Sequence, residues 1–406
     1  MPAREADPFG VNVIGFHAHH FGIARAGRLM IEALDAAGVP LTAVEAPGLD
    51  RPEVGSAPMR SVGADAARFP INLLCMNGNH VLSFAAGGNR RLLEDRYTIA
   101  LWFWETDRFP AAWQPALDLV DELWVPSAYV AATLEQQRSV PVTRIRLAVT
   151  SPRPAHFERG RHGIRAGDFL FCYLFEYGSS GRRKNPLGLI EAFTKAFPAG
   201  SGASLLLKSS FAENEPEHAR RVGEAATAHP DVHVVDGRVS EAEKDAIVAG
   251  CDCYVSLQRS EGFGLTQAEA ISLGKPVIAT GYGGSMEFMT PDTAYLVDYE
   301  LERVGEGEIF YAPDDRWASP DTGHAAKLMR EVFEDPERAR ERAAHAAERM
   351  RNRHSPEAAG RIVTARLEEI WARLPQARGV SPLAKLRRRR VAALAKSLRR
   401  ERLRRD

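Results

Sequence analysis

The sequence predicts an α/β protein made of two doubly wound, Rossmann-like domains. Three observations carry that prediction. A chain of 406 residues exceeds what one ordinary hydrophobic core supports. Short apolar runs alternate with stretches of helical periodicity, as βαβ units do. The alternation also runs twice, with a polar stretch rich in Pro, Gly and Arg at 152–167 between the two series. Repeated strand–helix alternation implies a parallel sheet, and two series imply two such domains.

The elements follow in order. In the first series, 11–16, 71–76, 98–103, 123–125 and 145–148 read as strands. Residues 25–37 read as a helix with Leu29, Ile31 and Leu34 on its apolar face. In the second series, 169–175, 204–208, 232–235, 253–257 and 276–279 read as strands. Helix starts are marked between them. Asn185-Pro186 places a cap residue before proline, whose missing N–H costs nothing at the first helical position. Ser240 and Glu243 form a capping box, and Ser355-Pro356-Glu357 opens a helix running to about Arg373. The boundaries expected are 1–152 for the amino-terminal domain and 168–353 for the second.

Composition suits a soluble globular protein, with 45% apolar and 26% charged residues. Lys plus Arg and Asp plus Glu both number 53. The charges are unevenly placed. Residues 378–406 hold twelve Lys or Arg and two acids, which leaves 41 basic and 51 acidic residues for the rest. An acidic body thus carries a basic tail. The four cysteines, Cys75, Cys172, Cys251 and Cys253, lack zinc spacing and read as reduced structural thiols of a cytoplasmic protein. The first ten residues hold no apolar stretch of signal-peptide length, and no run is long enough to span a membrane.

Open α/β sheets bind ligands beyond the carboxyl ends of their strands. After 253–257 come Glu261, Gly262, Phe263, Gly264, Leu265, Thr266 and Glu269. Two carboxylates eight apart flank a glycine-bearing loop that opens a helix. Glycines let a ligand approach the backbone, and the helix start turns N–H groups toward it. Helical Cβ atoms tilt toward the N-terminus, so Glu269 reaches back toward that ligand. Carboxylates beside a phosphate make sense when ribose and sugar hydroxyls donate to them. On spacing alone, a capped surface helix with two solvated acids remains open. The loop after 169–175 is glycine- and serine-rich, then basic, with Arg183 and Lys184; Lys208 ends the next strand. These cations at neighbouring strand ends suit a diphosphate without a metal. A further loop with Gly283 and Gly284 follows 276–279.

In the first series, His17, His19 and His20 follow the first strand. No further ligand has matching spacing, so no metal is expected. The glycine pattern is not that of a nicotinamide-binding loop. His17 reads as a loop residue touching substrate, or as part of a plain β–α turn. Trp104 and Glu105 close another strand, where an aromatic face and a carboxylate suit a sugar acceptor; a core strand is the alternative. Asn77 and Asn79 carry the same ambiguity.

The segment SLQRSEGFGLTQAEAISLGKPVIATGYGGSMEFM resembles the signature of family 4 glycosyltransferases of the GT-B fold. YLFEYGSSGRRKNPLGLIEAF is similar to that family's phosphate-binding strand–loop–helix. INLLCMNGNH, the stretch 97–130 and WASPD at 317–321 look like bacterial members acting on surface polysaccharides. The resemblance runs from Val11 to about Trp371 and omits the tail. It implies two Rossmann-like domains facing a central cleft, with the helix over 354–374 packing back on the amino-terminal domain. It implies retaining transfer of a hexose, mannose being the candidate, from a nucleoside-diphosphate sugar to a glycan or lipid-linked acceptor. Glu261 would contact the donor sugar, Glu269 the ribose, and Arg183 and Lys184 the diphosphate. Phe263, Gly264 and Leu265 would offer backbone N–H groups. No cofactor beyond the donor is implied. Many relatives carry an arginine where this chain has Gly178, so Arg183 is read in its place, with Lys208 as a supplement. The competing readings are a sugar-nucleotide epimerase of the same architecture and a non-catalytic sugar-nucleotide-binding protein.

The tail sets Leu383, Leu386, Val391, Leu394 and Leu398 at near-helical spacing among arginines. Such a helix can lie on anionic lipid, the alternatives being a solubilising disordered tail or a nucleic-acid contact. No nucleic-acid partner is expected, and the enzyme would sit on the inner face of the cell membrane through 383–405. Truncation after Leu374 is expected to abolish co-sedimentation with anionic vesicles; unchanged binding refutes the membrane role.

Overall fold

The computed structural model describes residues 8–47, 63–89, 92–93, 96–150 and 156–374. The basic tail at 378–406, with its amphipathic pattern, lies outside the described residues. The chain divides into two compact units. The first comprises Met1–Phe103, Phe109–Ala148 and His354–Asp406, and the second Trp104–Arg108 and Val149–Arg353.

The first unit holds a six-stranded sheet of β1 (Val11–Gly15), β2 (Leu41–Glu45), β3 (Ile71–Cys75), β4 (Tyr97–Leu101), β5 (Glu122–Val125) and β6 (Val142–Arg144), in the order β2-β1-β3-β4-β5-β6. All neighbours pair in parallel. Strands β1 and β3 are buried throughout, as parallel strands covered on both faces must be. This is the flavodoxin-like order, whose direction changes between β1 and β3. Helix Gly22–Ala36 packs against the closing helix Pro356–Arg373. They approach so closely that a Cβ on Gly360 would lie 2.2 Å from the carbonyl oxygen of Ala33.

The second unit is built on β7 (Phe169–Leu174), β8 (Ala203–Ser209), β9 (Val232–Asp236), β10 (Cys253–Ser256), β11 (Val277–Thr280) and β12 (Tyr295–Val297), ordered β12-β11-β10-β7-β8-β9. Its pairings are also parallel. Counted from β7, this is the Rossmann order, and the chain reverses direction between β7 and β10. An antiparallel hairpin of β13 (Tyr299–Arg303) and β14 (Arg316–Pro320) follows. The expected caps form. Asn185 accepts from Gly188 N, Ser240 and Glu243 complete the capping box, and Ser355 accepts from Ala358 N.

Two expectations need correction. Residues 145–148 are not a strand. The edge strand is β6, three residues earlier, and the apolar Leu147 and Ala148 are buried without pairing in the sheet. Their hydrophobicity reflects packing rather than a ladder. Nor is the stretch 152–167, whose composition suits a linker, loose over its described part. Arg159 donates to the carbonyls of Asp168 and Gly250 and pairs with Asp252 at 2.8 Å. Phe157 packs where any side chain on Gly250 would stand. All four cysteines are buried and free. No helix among the described residues is long and apolar enough to cross a membrane.

One buried carboxylate ties the edge of the first sheet to the closing helix. Glu122 accepts from Tyr97 Oη at 3.0 Å, Trp124 Nε1 at 2.8 Å and Thr143 Oγ1 at 2.6 Å. Arg366 clasps it with Nε at 2.9 Å and Nη2 at 2.7 Å. Burial alone would push this carboxyl up, but the Arg366, Thr143 and Trp124 donors hold it below the usual carboxylate range. A depressed folded pKa means that the contribution is complete above the unfolded carboxylate range and is lost on acidification. Arg366→Ala is expected to cost about 3 kcal/mol near neutral pH, since it strands a buried charge. In urea unfolding, the gap to wild type should narrow as pH falls below about 4.

Candidate active site

The switch point between β7 and β10 sets the site, because there two successive strand-end loops diverge to opposite sides. The loop after β7 runs into a short helix, Gly181–Lys184, and then into Pro186–Ala196. Ser180 (φ 72°) and Asn185 (φ 54°) both take left-handed backbone and both cap with their side chains. That double reversal turns Arg183 inward and leaves Lys184 beside it. Asn185 also donates to the carbonyl of Leu257 at 2.9 Å, stitching this loop to the one after β10.

Arg183 is 2% exposed and fully engaged by protein. Its Nη1 donates to Ser260 O at 2.7 Å and approaches Glu261 Oε1 at 3.2 Å. Nε and Nη2 donate to Ser179 O, and Nη2 also to Ser179 Oγ. Lys184 Nζ meets the same Glu261 oxygen at 2.5 Å. Burial would raise the Glu261 carboxyl, but the Lys184 and Arg183 charges hold it below its ordinary range. Glu261 is therefore an anion at neutral pH, as a hydroxyl-accepting group should be.

The glycines serve close approach. Gly264 (φ 88°) precedes the helix Leu265–Ser272. Gly284 N donates to Glu261 O at 2.6 Å, and a Cβ there would stand 1.9 Å from Gly262 O. A Cβ on Gly283 (φ 88°) would stand 3.0 Å from the Glu261 carbonyl oxygen. The loop after β11 thus clamps the loop carrying Gly262, Phe263 and Glu261. Phe263 is buried against Phe288, which anchors the loop from below. Thr266 stands in the first turn of the helix, its hydroxyl 3.3 Å from Gln267 Oε1. Glu269 is 3% exposed and pairs with Lys244 Nζ at 2.8 Å. Lys244 comes from the helix Glu241–Gly250 and carried no motif in the sequence.

Lys208 is buried at the end of β8, where its ammonium donates to the carbonyls of Ser209 and Gly237. Burial lowers its pKa from the ordinary range. The structure thus brings Arg183, Lys184 and Glu261 together, whereas Lys208 is held by backbone oxygens.

The segment Trp104–Arg108 belongs to the second unit. Trp104 is a buried packing residue, with its Nε1 on Arg108 O at 2.7 Å and its ring edge-on to Tyr311 at 5.4 Å. Glu105 accepts from Tyr311 Oη at 3.2 Å. Both lie within electrostatic range of the Arg183 guanidinium. Thr106 bonds Asp315 at 2.9 Å and Asp107 takes Arg316 at 2.8 Å. Tyr311 is a site residue that sequence reading missed, because it sits in a loop between hairpin strands and no strand-end signal marks it.

In the first unit, His17 is fully buried at the end of β1, its Nε2 3.1 Å from Val13 O. Burial pushes its imidazole down to about 4, so it is neutral at physiological pH. Asn77 caps the helix Gly78–Phe84 by position and accepts from Phe103 N at 2.9 Å. Asn79 is exposed on that helix. Among the described residues no group of three or more His, Cys, Asp or Glu is placed to hold a metal ion.

Residues 157–302 match the family model described as Glycosyl transferases group 1. A 120-residue stretch is 28% identical to trehalose synthase of Rubrobacter xylanophilus, over 28% of this chain and 29% of that protein's length. Sucrose-phosphate synthase from Thermosynechococcus elongatus superposes with a TM-score of 0.67 at 17% identity, over 90% of this chain and 100% of that one. The Anabaena protein HepE, solved with UDP and glucose, superposes at 0.64 with 14% identity, over 89% of this chain and 100% of that one. The superpositions place the fold in the GT-B class, and the sequence match to the group 1 model is confined to 157–302, within the second unit.

Gly284→Ala is expected to destabilise by about 1–3 kcal/mol, since the added methyl meets main chain rather than a movable side chain. Chemical denaturation measures it; a neutral effect would mean that the clamp on the Glu261 loop is looser than drawn.

Proposed function

We propose that the chain is a retaining hexosyltransferase that moves a hexose from a nucleoside-diphosphate sugar to a glycan or lipid-linked acceptor, in cell-surface polysaccharide or glycolipid synthesis. The observation that carries this reading is the cluster at the β7–β10 switch point. There a low-pKa carboxylate, Glu261, and a cation, Lys184, lie beside a glycine-bearing loop that opens a helix.

In this reading the unit around 168–353 binds the donor. Glu269 holds ribose hydroxyls and Glu261 those of the hexose. Lys184 and the N–H groups around Gly264 and Leu265 take the diphosphate. Transfer breaks the bond between the anomeric carbon and the diphosphate oxygen, which leaves with the electron pair. The acceptor hydroxyl forms the new glycosidic bond on the same face, and its proton passes to the departing diphosphate. Lys184 and the helix N–H groups stabilise the charge that grows on that leaving group. The protein supplies orientation and charge rather than a strong base. Mannose remains the candidate sugar from the sequence resemblance, with the amino-terminal unit on the acceptor side. A cytoplasmic enzyme docked on the inner membrane face through its basic tail suits a lipid-linked acceptor.

Purified protein is to be incubated with a panel of UDP-, GDP- and ADP-sugars while its melting temperature is followed, beside Glu269→Ala. One donor is expected to stabilise the wild type by several degrees, with the rise abolished in the variant. No rise with any donor points to a non-catalytic protein. Donor consumption with no acceptor present points to an epimerase.

A further inference from the structure

Arg183 and Lys184 are adjacent cations that meet one carboxylate oxygen, yet they are held in unlike ways. Arg183 is buried and is bound by Ser179 and Ser260 as well as by Glu261. It cannot turn to a ligand without leaving two carbonyls of two different loops unsatisfied, which is costly in a buried place. Lys184 has one side-chain hydrogen bond among the described residues, to Glu261. Its ammonium sits on a flexible four-carbon stem and can exchange one anion for another. Arg183 is thus the fixed member of the pair and Lys184 the movable one.

We propose that Glu261 is an internal stand-in for the donor's diphosphate. It competes for Lys184 and gives the site a built-in preference for a whole nucleotide sugar over the nucleoside diphosphate left after transfer. This rests on the donor-site reading above and adds a direction to it. A diphosphate that recruits Lys184 takes from Glu261 the nearer of its two cations. A nucleotide sugar brings hydroxyl donors that replace what Glu261 loses. A nucleoside diphosphate, or inorganic pyrophosphate, brings none, and the carboxylate is left underpaired while facing another anion. Once the sugar has gone to the acceptor, the Lys184–Glu261 pair re-forms against the product and drives its release. Arg183 holds Glu261 in place throughout, so the carboxylate stays aligned as Lys184 comes and goes.

The test is isothermal titration of inorganic pyrophosphate, of UDP, GDP and ADP and of the UDP-, GDP- and ADP-sugars into wild type, Glu261→Gln and the double variant Glu261→Gln with Lys184→Ala. Glutamine keeps the shape and removes the competing charge. Glu261→Gln is expected to bind pyrophosphate and the preferred nucleoside diphosphate about ten-fold more tightly than wild type, as opposed charges at this range are worth at least that much. It should also lose the preference for the nucleotide sugar over its diphosphate. Binding equal to or weaker than wild type overturns the proposal. The double variant separates the two readings. If the Glu261→Gln gain is lost with Lys184→Ala, the ligand lies on Lys184 as proposed. If the gain survives, the anion binds elsewhere, and it is the donor-site assignment that fails. A melting temperature for ligand-free Glu261→Gln within a few degrees of wild type confirms that folding is not what the titration reports.

Discussion

Burying the Arg183 guanidinium is the constraint on which the loops after β7 and β10 depend. An ion of that size out of water must meet acceptors on every N–H, or the desolvation cost stands uncompensated. Here the acceptors are the Ser179 carbonyl and hydroxyl, the Ser260 carbonyl and the Glu261 carboxylate. They come from the loops after β7 and β10, the two strands that flank the reversal of strand order. Satisfying the cation therefore fixes the spacing of those loops. Several odd local features serve the same end. Left-handed Ser180 and Asn185 turn the short helix so that Arg183 points inward, and the backbone of Arg183 accepts from Arg259 N at 2.8 Å. The Gly284 clamp presses the Glu261 loop from the other side.

The same cation organises a wider charge balance. Glu105 and Tyr311 stand near it, and the Tyr311 hydroxyl, raised by burial and by the nearby acids, stays protonated and donates to Glu105. Glu105 comes with Trp104–Arg108, a stretch that leaves the first unit after Phe103 and is bound to the second through Thr106, Asp107 and Trp104. Among the described residues, Glu261 is the carboxylate that meets both Arg183 and Lys184. A ligand that takes Lys184 disturbs one partner and leaves the rest of the cluster intact.

Much of this was legible in the sequence. Buried parallel strands read as continuous apolar runs, so β3, β7 and β8 stand out. Glycines between two glutamates marked the loop after β10, because only a close backbone approach requires them there. The limits have equally physical causes. Edge strand β6 is half exposed, so its apolar signal is weak, while the buried coil behind it mimics a strand. Adjacent residues Arg183 and Lys184 look alike in one dimension; which one is buried depends on capping at Ser180 and Asn185. Lys208 ends its strand as expected, yet it faces carbonyls of Ser209 and Gly237, which no pattern announces. Tyr311 reaches Glu105 from a loop, and Lys244 reaches Glu269 from a helix, both remote in sequence.

The two units also differ in what their strand ends offer. The loops at the switch point of the second unit contain Arg182, Arg183, Lys184 and Arg259. The corresponding loops of the first unit, after β1 and β3, contain no Lys or Arg and carry His17, His19, His20 and Asn77, with Asn79 and His80 in the first turn of the helix Gly78–Phe84. His17 is neutral because its burial outweighs the bond to Val13, and the cation nearest to it, Arg28, donates to the carbonyls of His17 and His19. Asn77, Asn79 and the neutral His17 supply no charge to compensate a diphosphate. Such side chains bind hydroxyl groups well, since amides and imidazoles match their paired donor and acceptor character. That asymmetry, set by residue type at equivalent topological positions, is what the proposed division of roles rests on, with the anionic donor on the second unit and a hydroxyl-bearing acceptor on the first.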